Sequence, residues 1–171
     1  MVARVEDASG RAAPRSRTAF RVSILLILVA ALVGPITTQG ANQASASSGD
    51  EAAFVEALNR IRADADLPAL TVNHQLSDLA RIHTERMADA GEIAHAARIS
   101  AGYEGPWTKL GENVGVGAEV EDLVDAFVAS PGHYANIVDP AFTEIGVAVV
   151  RRGDALYTTH RFLEPPVDAG S

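Results

Sequence analysis

Apolar side chains fall at helical spacing in most of the chain and alternate like strands near its end. Phe54, Leu58 and Ile61 recur at i, i+4 and i+7, which sets them on one buried helical stripe. Ser48 followed by Glu51 has the form of a capping box and places the start of that helix near Asp50. Pro68 ends it, with Asp64 and Asp66 at the exit. A second helix is predicted over residues 75–90, with Leu76, Leu79, Ala80, His83 and Met87 on its apolar face. Asn73 is its N-cap candidate, and Gly91 follows its end. Residues 92–111 break the pattern and read as loop. Gly111 to Gly117 then reads as a short strand among glycines. A third helix carries Val120, Leu123, Val124, Phe127 and Val128 as its buried stripe. Ser130-Pro131 has the form of an N-cap and first position of a short fourth helix, on which His133 and Ile137 share a face until Asp139-Pro140 stops it. The runs 143–151 and 155–163 are rich in β-branched and aromatic residues, and Arg152-Gly153-Asp154 turns between them as a hairpin.

The N-terminus follows different rules. Arg4, Arg11, Arg15, Arg17 and Arg21 outnumber Glu6 and Asp7, and Val22 to Gly34 is apolar apart from Ser23. With Ala44-Ser45-Ala46 downstream, this is the pattern of a secretory leader cut after Ala46. The alternative is an uncleaved anchor through residues 22–36, although the apolar run is shorter than the roughly 20 residues a spanning helix needs. The chain of 171 residues therefore divides into a leader at 1–46, a linker at 47–53, one domain at 54–165 and a tail at 166–171. The expected location is extracellular, with membrane attachment only through the anchor alternative.

Removing the leader sharpens the charge. The chain holds 14 basic and 22 acidic residues, of which residues 1–46 contain 5 and 2, leaving a formal −11. Such a domain repels nucleic acid and anionic membrane surfaces. There is no cysteine, which excludes disulfides, thiol catalysis and cysteine-based metal sites. His83 lies at a core-stripe position and reads as a packed, hydrogen-bonded residue. His95 lies in the long loop, where a side chain can reach a ligand.

Several runs, in order, carry a family likeness. They are Leu58-Asn59-x-x-Arg62-Ala63, Leu67-Pro68-x-Leu70, Leu76 through Ala80 to Met87, His95 and Gly111-Glu112-Asn113. After these come Ser130-Pro131-Gly132-His133-x-x-Asn136-Ile137, Phe142-Thr143-Glu144-Ile145-Gly146-Val147 and Thr159-x-x-Phe162. Over residues 54–163 the chain resembles the bacterial branch of the CAP superfamily (cysteine-rich secretory proteins, antigen 5 and pathogenesis-related 1 proteins; the SCP domain). The resemblance implies an α+β fold, a three-layer α-β-α sandwich around a small central antiparallel sheet. It also implies a cleft lined by two histidines and two acids, which places His95, Glu112 and His133 in that cleft. The fourth acid is missing. Where many relatives have Trp-x-x-Glu, this chain has Phe127-Val-Ala-Ser130, and His160 stands where bacterial relatives often have glutamine.

Two imidazoles facing one cation suit zinc, with Glu112 as a further ligand or as the acceptor that fixes one imidazole's tautomer. Calcium, which wants six to eight oxygens, fits poorly. On this reading His95, His133 and Glu112 are the metal set, and the set rests on the resemblance rather than on local spacing. The leading functional expectation is a secreted, non-enzymatic domain whose His/Glu cleft binds a ligand, with a small hydrophobic or lipid molecule as one class and a divalent metal as an accessory. A second is an extracellular hydrolase, metal-assisted or using Ser130, His133 and Glu112 as nucleophile, base and orienting acid. A third is an interaction module with a vestigial cleft.

Overall fold

The computed structural model describes residues 2–7 and 40–167. The apolar run 22–34, the anchor alternative at 22–36 and the end of the tail at 168–171 lie outside the described residues. Among the described residues, no helix is long and apolar enough to cross a membrane.

The elements follow the apolar pattern closely. Strand β1 (Val2–Asp7) precedes helix α1 (Gly40–Asp64), the two-residue strand β2 (Thr71–Val72) and helix α2 (His74–Ala90). Strand β3 (Lys109–Gly117), helix α3 (Val120–Ala129), helix α4 (Pro131–Ile137) and the hairpin β4 (Glu144–Arg152) and β5 (Ala155–Glu164) complete the chain. The sheet order is β1-β3-β5-β4-β2. All neighbours are antiparallel except β2, which pairs parallel with β4. That pairing departs from the all-antiparallel expectation. It arises because the short link from α1 delivers β2 beside β4, where Thr71 N–H donates to Thr143 and Asn73 N–H donates to Ile145.

The pleat of β5 sorts the layers. His160 and Phe162 point to one face, where His160 meets Phe54 of α1 and Phe127 of α3, and Phe162 stacks on Phe142. Thr159 and Leu163 point to the other, where the Thr159 hydroxyl lies 2.8 Å from that of Thr84 on α2 and Leu163 packs with Leu76. Helix α2 thus covers one face and α1, α3 and α4 the other. This is the α-β-α sandwich implied by the resemblance.

Local signals in α2 act as read from the sequence. The Asn73 side chain accepts the Leu76 N–H, and Gly91 closes the helix in the left-handed conformation with φ 68°. Three details differ. First, α1 starts at Gly40, not near Asp50, so the expected linker at 47–53 is helical. Ala41, Gln43, Ala44 and Ala46 are good helix formers, and no proline interrupts residues 36–67, so the helix runs back from its amphipathic part. Glu51 does not cap; its carboxylate accepts from Arg81 and from the Val149 N–H. Second, Ser130 stands at the N-cap of α4 but makes no side-chain capping bond. Third, Val128 is exposed, because in the last turn of α3 it is Phe127, in line with Leu123, that faces the core.

The core gathers Phe54, Leu58, Leu123, Phe127, Phe142, Ile145 and Phe162. One charged side chain lies fully within it. Arg62, 1% exposed, donates to the carbonyls of Pro68, Ile137, Asp139 and Phe142 at 2.8–3.0 Å. A buried guanidinium with that many acceptors keeps its charge at tolerable cost.

Two glycines should respond oppositely to alanine. A Cβ at Gly146 would lie 2.3 Å from the Leu76 and Ser77 backbone, where β4 and α2 touch. Gly146→Ala should therefore lower stability by about 3 kcal/mol or more in denaturant unfolding. At Gly49, a helical position with open space around it, alanine should raise stability by about 0.5–1 kcal/mol.

Candidate functional site

The site is built on the step from Glu112 to Asn113 in β3. Adjacent strand residues point to opposite faces, so the two side chains go to different sides of the sheet. Glu112 lies across from Arg161, and Asn113 across from His160.

On the Glu112 side the partner is the loop after α2. Glu112 is wholly buried, and its Oε1 accepts from His95 Nδ1 and the Ala96 N–H, both at 2.9 Å. Arg161 Nε lies 3.4 Å from Oε2, and the Arg161 guanidinium also donates to the Ile99 carbonyl. Burial alone would raise the carboxyl's pKa. The His95 bond, the Ala96 N–H and the nearby Arg161 and His83 outweigh it and hold Glu112 below the usual carboxylate range. Glu112 is thus an ionised acceptor, and His95 must donate through Nδ1. That fixes the tautomer and leaves His95 Nε2 as a lone-pair acceptor, buried and without a hydrogen-bond partner. His83 Nε2 lies 2.8 Å from the Ala94 carbonyl, beside His95. It is a positioning contact, as its stripe position suggested.

On the Asn113 side the partner is α4. Asn113 Nδ2 donates to the His133 carbonyl at 3.1 Å, and Asn136 Nδ2 donates to Asn113 Oδ1 at 2.8 Å. Asn136 also approaches the Glu112 carbonyl at 3.4 Å. The His133 ring is 1% exposed, with its centroid 4.9 Å from that of Phe127.

Between these two banks runs the outer edge of β3, and β1 lies along it. The register matches Val2 to Val114 through Asp7 to Lys109, with Arg4 opposite Glu112. Strand β1 touches α4 on one side. On the other, the Arg4 guanidinium donates to the Ala96 carbonyl at 2.8 Å and the Ala97 carbonyl at 3.4 Å.

The structure therefore pairs His95 with Glu112 and puts His133 on the facing bank, with β1 between them. Ser130 marks the corner from α3 to α4, its carbonyl accepting the Tyr134 N–H. Among the described residues, no three His, Cys, Asp or Glu side chains are grouped so as to hold a metal ion. Asn113, Asn136, Arg161 and Arg4 were not singled out from the sequence. For Asn136 the signal was its i+3 spacing from His133; for Asn113, its place beside Glu112 in a strand. Arg4 had been assigned to the leader's basic flank.

The cysteine-rich secretory protein (CAP) family matches residues 55–162. The chain belongs to the CAP family. YkwD, an uncharacterized protein of Bacillus subtilis, is 30% identical over 134 residues, covering 70% of this chain and 51% of that protein. The chain thus spans about half the length of that relative. An extracellular protein of Bacillus anthracis containing an SCP domain superposes with a TM-score of 0.65 at 22% identity, over 77% of this chain and 45% of the other. An outer surface protein of Borrelia burgdorferi gives 0.64 at 17% identity, over 69% and 94%. These two likenesses are of fold.

His160 gives this CAP domain an acid response. Fully buried against Phe54 and Phe127, with neither ring nitrogen hydrogen-bonded, it has its pKa pushed down to about 3 by burial, with His133 adding to the shift. The unfolded chain takes up this proton below pH 6.5 and the folded one does not, so stability is lost as pH falls from there toward 3. Glu112, also depressed, adds a loss that begins as pH falls through the ordinary carboxylate value of 4.5. Denaturant unfolding at pH 7 and pH 5 should differ by roughly 2 kcal/mol more in the wild type than in His160→Leu.

Proposed function

We infer that this CAP domain is an extracellular binding module rather than an enzyme, and that its ligand lies along the outer edge of β3 between the His95 loop and α4. One observation carries the reading. Ionised Glu112 holds His95 with Nδ1–H inward, which leaves Nε2 on the loop bank as a buried acceptor without a hydrogen-bond partner. A ligand with an N–H or O–H donor is the complement of that site. An extracellular place accords with the Bacillus anthracis relative, which is described as extracellular, and with the leader pattern of residues 1–46.

The hydrolase alternative has less support. A general base must reach a proton on a substrate-accessible nucleophile. His133 is 1% exposed and packed on Phe127, while Ser130 is the corner between two helices.

Two measurements on the full chain test this. Imidazole ¹⁵N shifts should show His95 as the Nδ1–H tautomer at neutral pH, and Glu112→Gln should abolish that preference. An Nε2–H tautomer in the wild type overturns the reading. Hydrolysis of p-nitrophenyl acetate and of casein should not exceed that of His133→Asn; turnover that depends on His133 would restore the enzyme.

A further inference from the structure

We propose that Glu51 closes the outer edge of β4 against a second copy of this chain, and that the opened edge pairs with its own counterpart, antiparallel about Val149. The place lies across the sheet from the groove and does not depend on it.

The first argument is that this edge is long and nearly bare of strand. Strand β4 has nine residues, and β2 pairs only with Glu144 and Ile145. Backbone groups that face away from β5 recur at every second residue. The Thr143 carbonyl accepts from Thr71, the Ile145 carbonyl accepts from Asn73, and the Val149 N–H points the same way. Past β2, the edge therefore turns outward the backbone groups of Val147, Val149 and Arg151. The run from Ile145 to Val150 has no charge and no proline, a composition that adds strands readily.

The second argument is what covers the edge. Glu51 Oε1 accepts the Val149 N–H at 3.0 Å and the Arg81 guanidinium at 2.5 Å. Glu51 belongs to α1 and Arg81 to α2, so the pair joins the two outer layers past the edge of the sheet. The next outward residue is held in the same manner. The Arg151 side chain donates to Asp50, the neighbour of Glu51, and to the Ala118 carbonyl and Glu119 ahead of α3. Two adjacent acids of α1 thus hold two alternate positions of one strand. A tie between α1 and α2 needs only Arg81 as partner. The further bond, to a main-chain donor of β4, is the one that an incoming strand must displace.

The third argument concerns the occupant. A strand that fits here must be extended, apolar and free of charges that meet like charges on β4. Strand β4 of a second copy meets those terms. With Val149 on a two-fold axis, Val147 falls opposite Arg151 of the other copy and Gly146 opposite Arg152, so the arginines stay apart. Outward-facing residues then meet outward-facing residues, as an antiparallel ladder requires.

The test uses the full chain, with circular dichroism to show that each variant is folded. In sedimentation velocity, Glu51→Ala should self-associate with rising concentration where the wild type does not. Glu51→Gln keeps an oxygen for the Val149 N–H, and Arg81→Ala keeps the carboxylate, so both should sediment as the wild type. At low concentration the Val149 amide should exchange roughly tenfold faster in Glu51→Ala than in the wild type. Association should restore its protection together with that of Val147. If Glu51→Ala does not fold, Glu51→Ser, with its short side chain, takes its place. A folded variant lacking the side chain of Glu51 that sediments as the wild type overturns the proposal. Equal association of Glu51→Gln or Arg81→Ala also overturns it, because the effect would then lie in the ion pair. So does association that leaves the Val149 amide exchanging fast.

Discussion

The groove depends on a constraint one residue long. In a β-strand the side chain changes face at every step, and β3 spends that step at Glu112 and Asn113. Glu112 reaches the loop that carries His95, and Asn113 reaches the helix that carries His133. A slip of one residue would exchange them, placing a carboxylate against α4 and an amide beneath Ala96. The long pairing of β3 with β5, from Lys109 opposite Glu164 to Gly117 opposite Leu156, prevents that slip. The two walls of the groove are thus set apart by the pleat itself.

The buried polar groups follow different strategies. Glu112 and Arg62 are both fully buried, and each is surrounded by partners that favour its charge. His160, equally buried, has aromatic rings around it and no hydrogen bond to either nitrogen, so it stays neutral. The first two are positional devices: they hold a loop and a helix where the groove needs them. The third fills volume in the core, and its consequence is confined to acid.

Much of this was legible in the sequence. Helical spacing marked the α1 and α2 faces, Asn73 and Gly91 bounded α2, and the paired runs at the end gave the hairpin. Family runs identified His95 and Glu112, which the structure brings into contact. What stayed hidden depended on distant partners. Nothing local to Val2–Asp7 shows that it pairs with a strand more than a hundred residues away, because six residues with a basic flank read equally well as part of a leader. The early start of α1 escaped notice because its first turns carry no apolar stripe to signal them. Ser130 matched the sequence pattern of a cap, yet its backbone position does not oblige its hydroxyl to bond. The family runs place His95, Glu112 and His133 in one cleft; that the two histidines stand on its opposite banks could not be told from spacing along the chain.

The two banks are not equally fastened. Behind α4 stands Arg62, whose guanidinium holds the carbonyls of Ile137, Asp139 and Phe142 from inside the core, while Asn113 and Asn136 tie the helix to β3. The loop at His95 is held chiefly through Glu112, with His83 on Ala94 as a lighter support. Shifting α4 would break Arg62's bonds to Ile137, Asp139 and Phe142 together with the Asn113 and Asn136 ties, whereas shifting the loop breaks the two bonds that His95 and Ala96 make to Glu112. The protein therefore has an anvil and a jaw. Whatever it grips, adaptation to the shape of the guest falls to the jaw, residues 94–97, and the register is kept by the anvil.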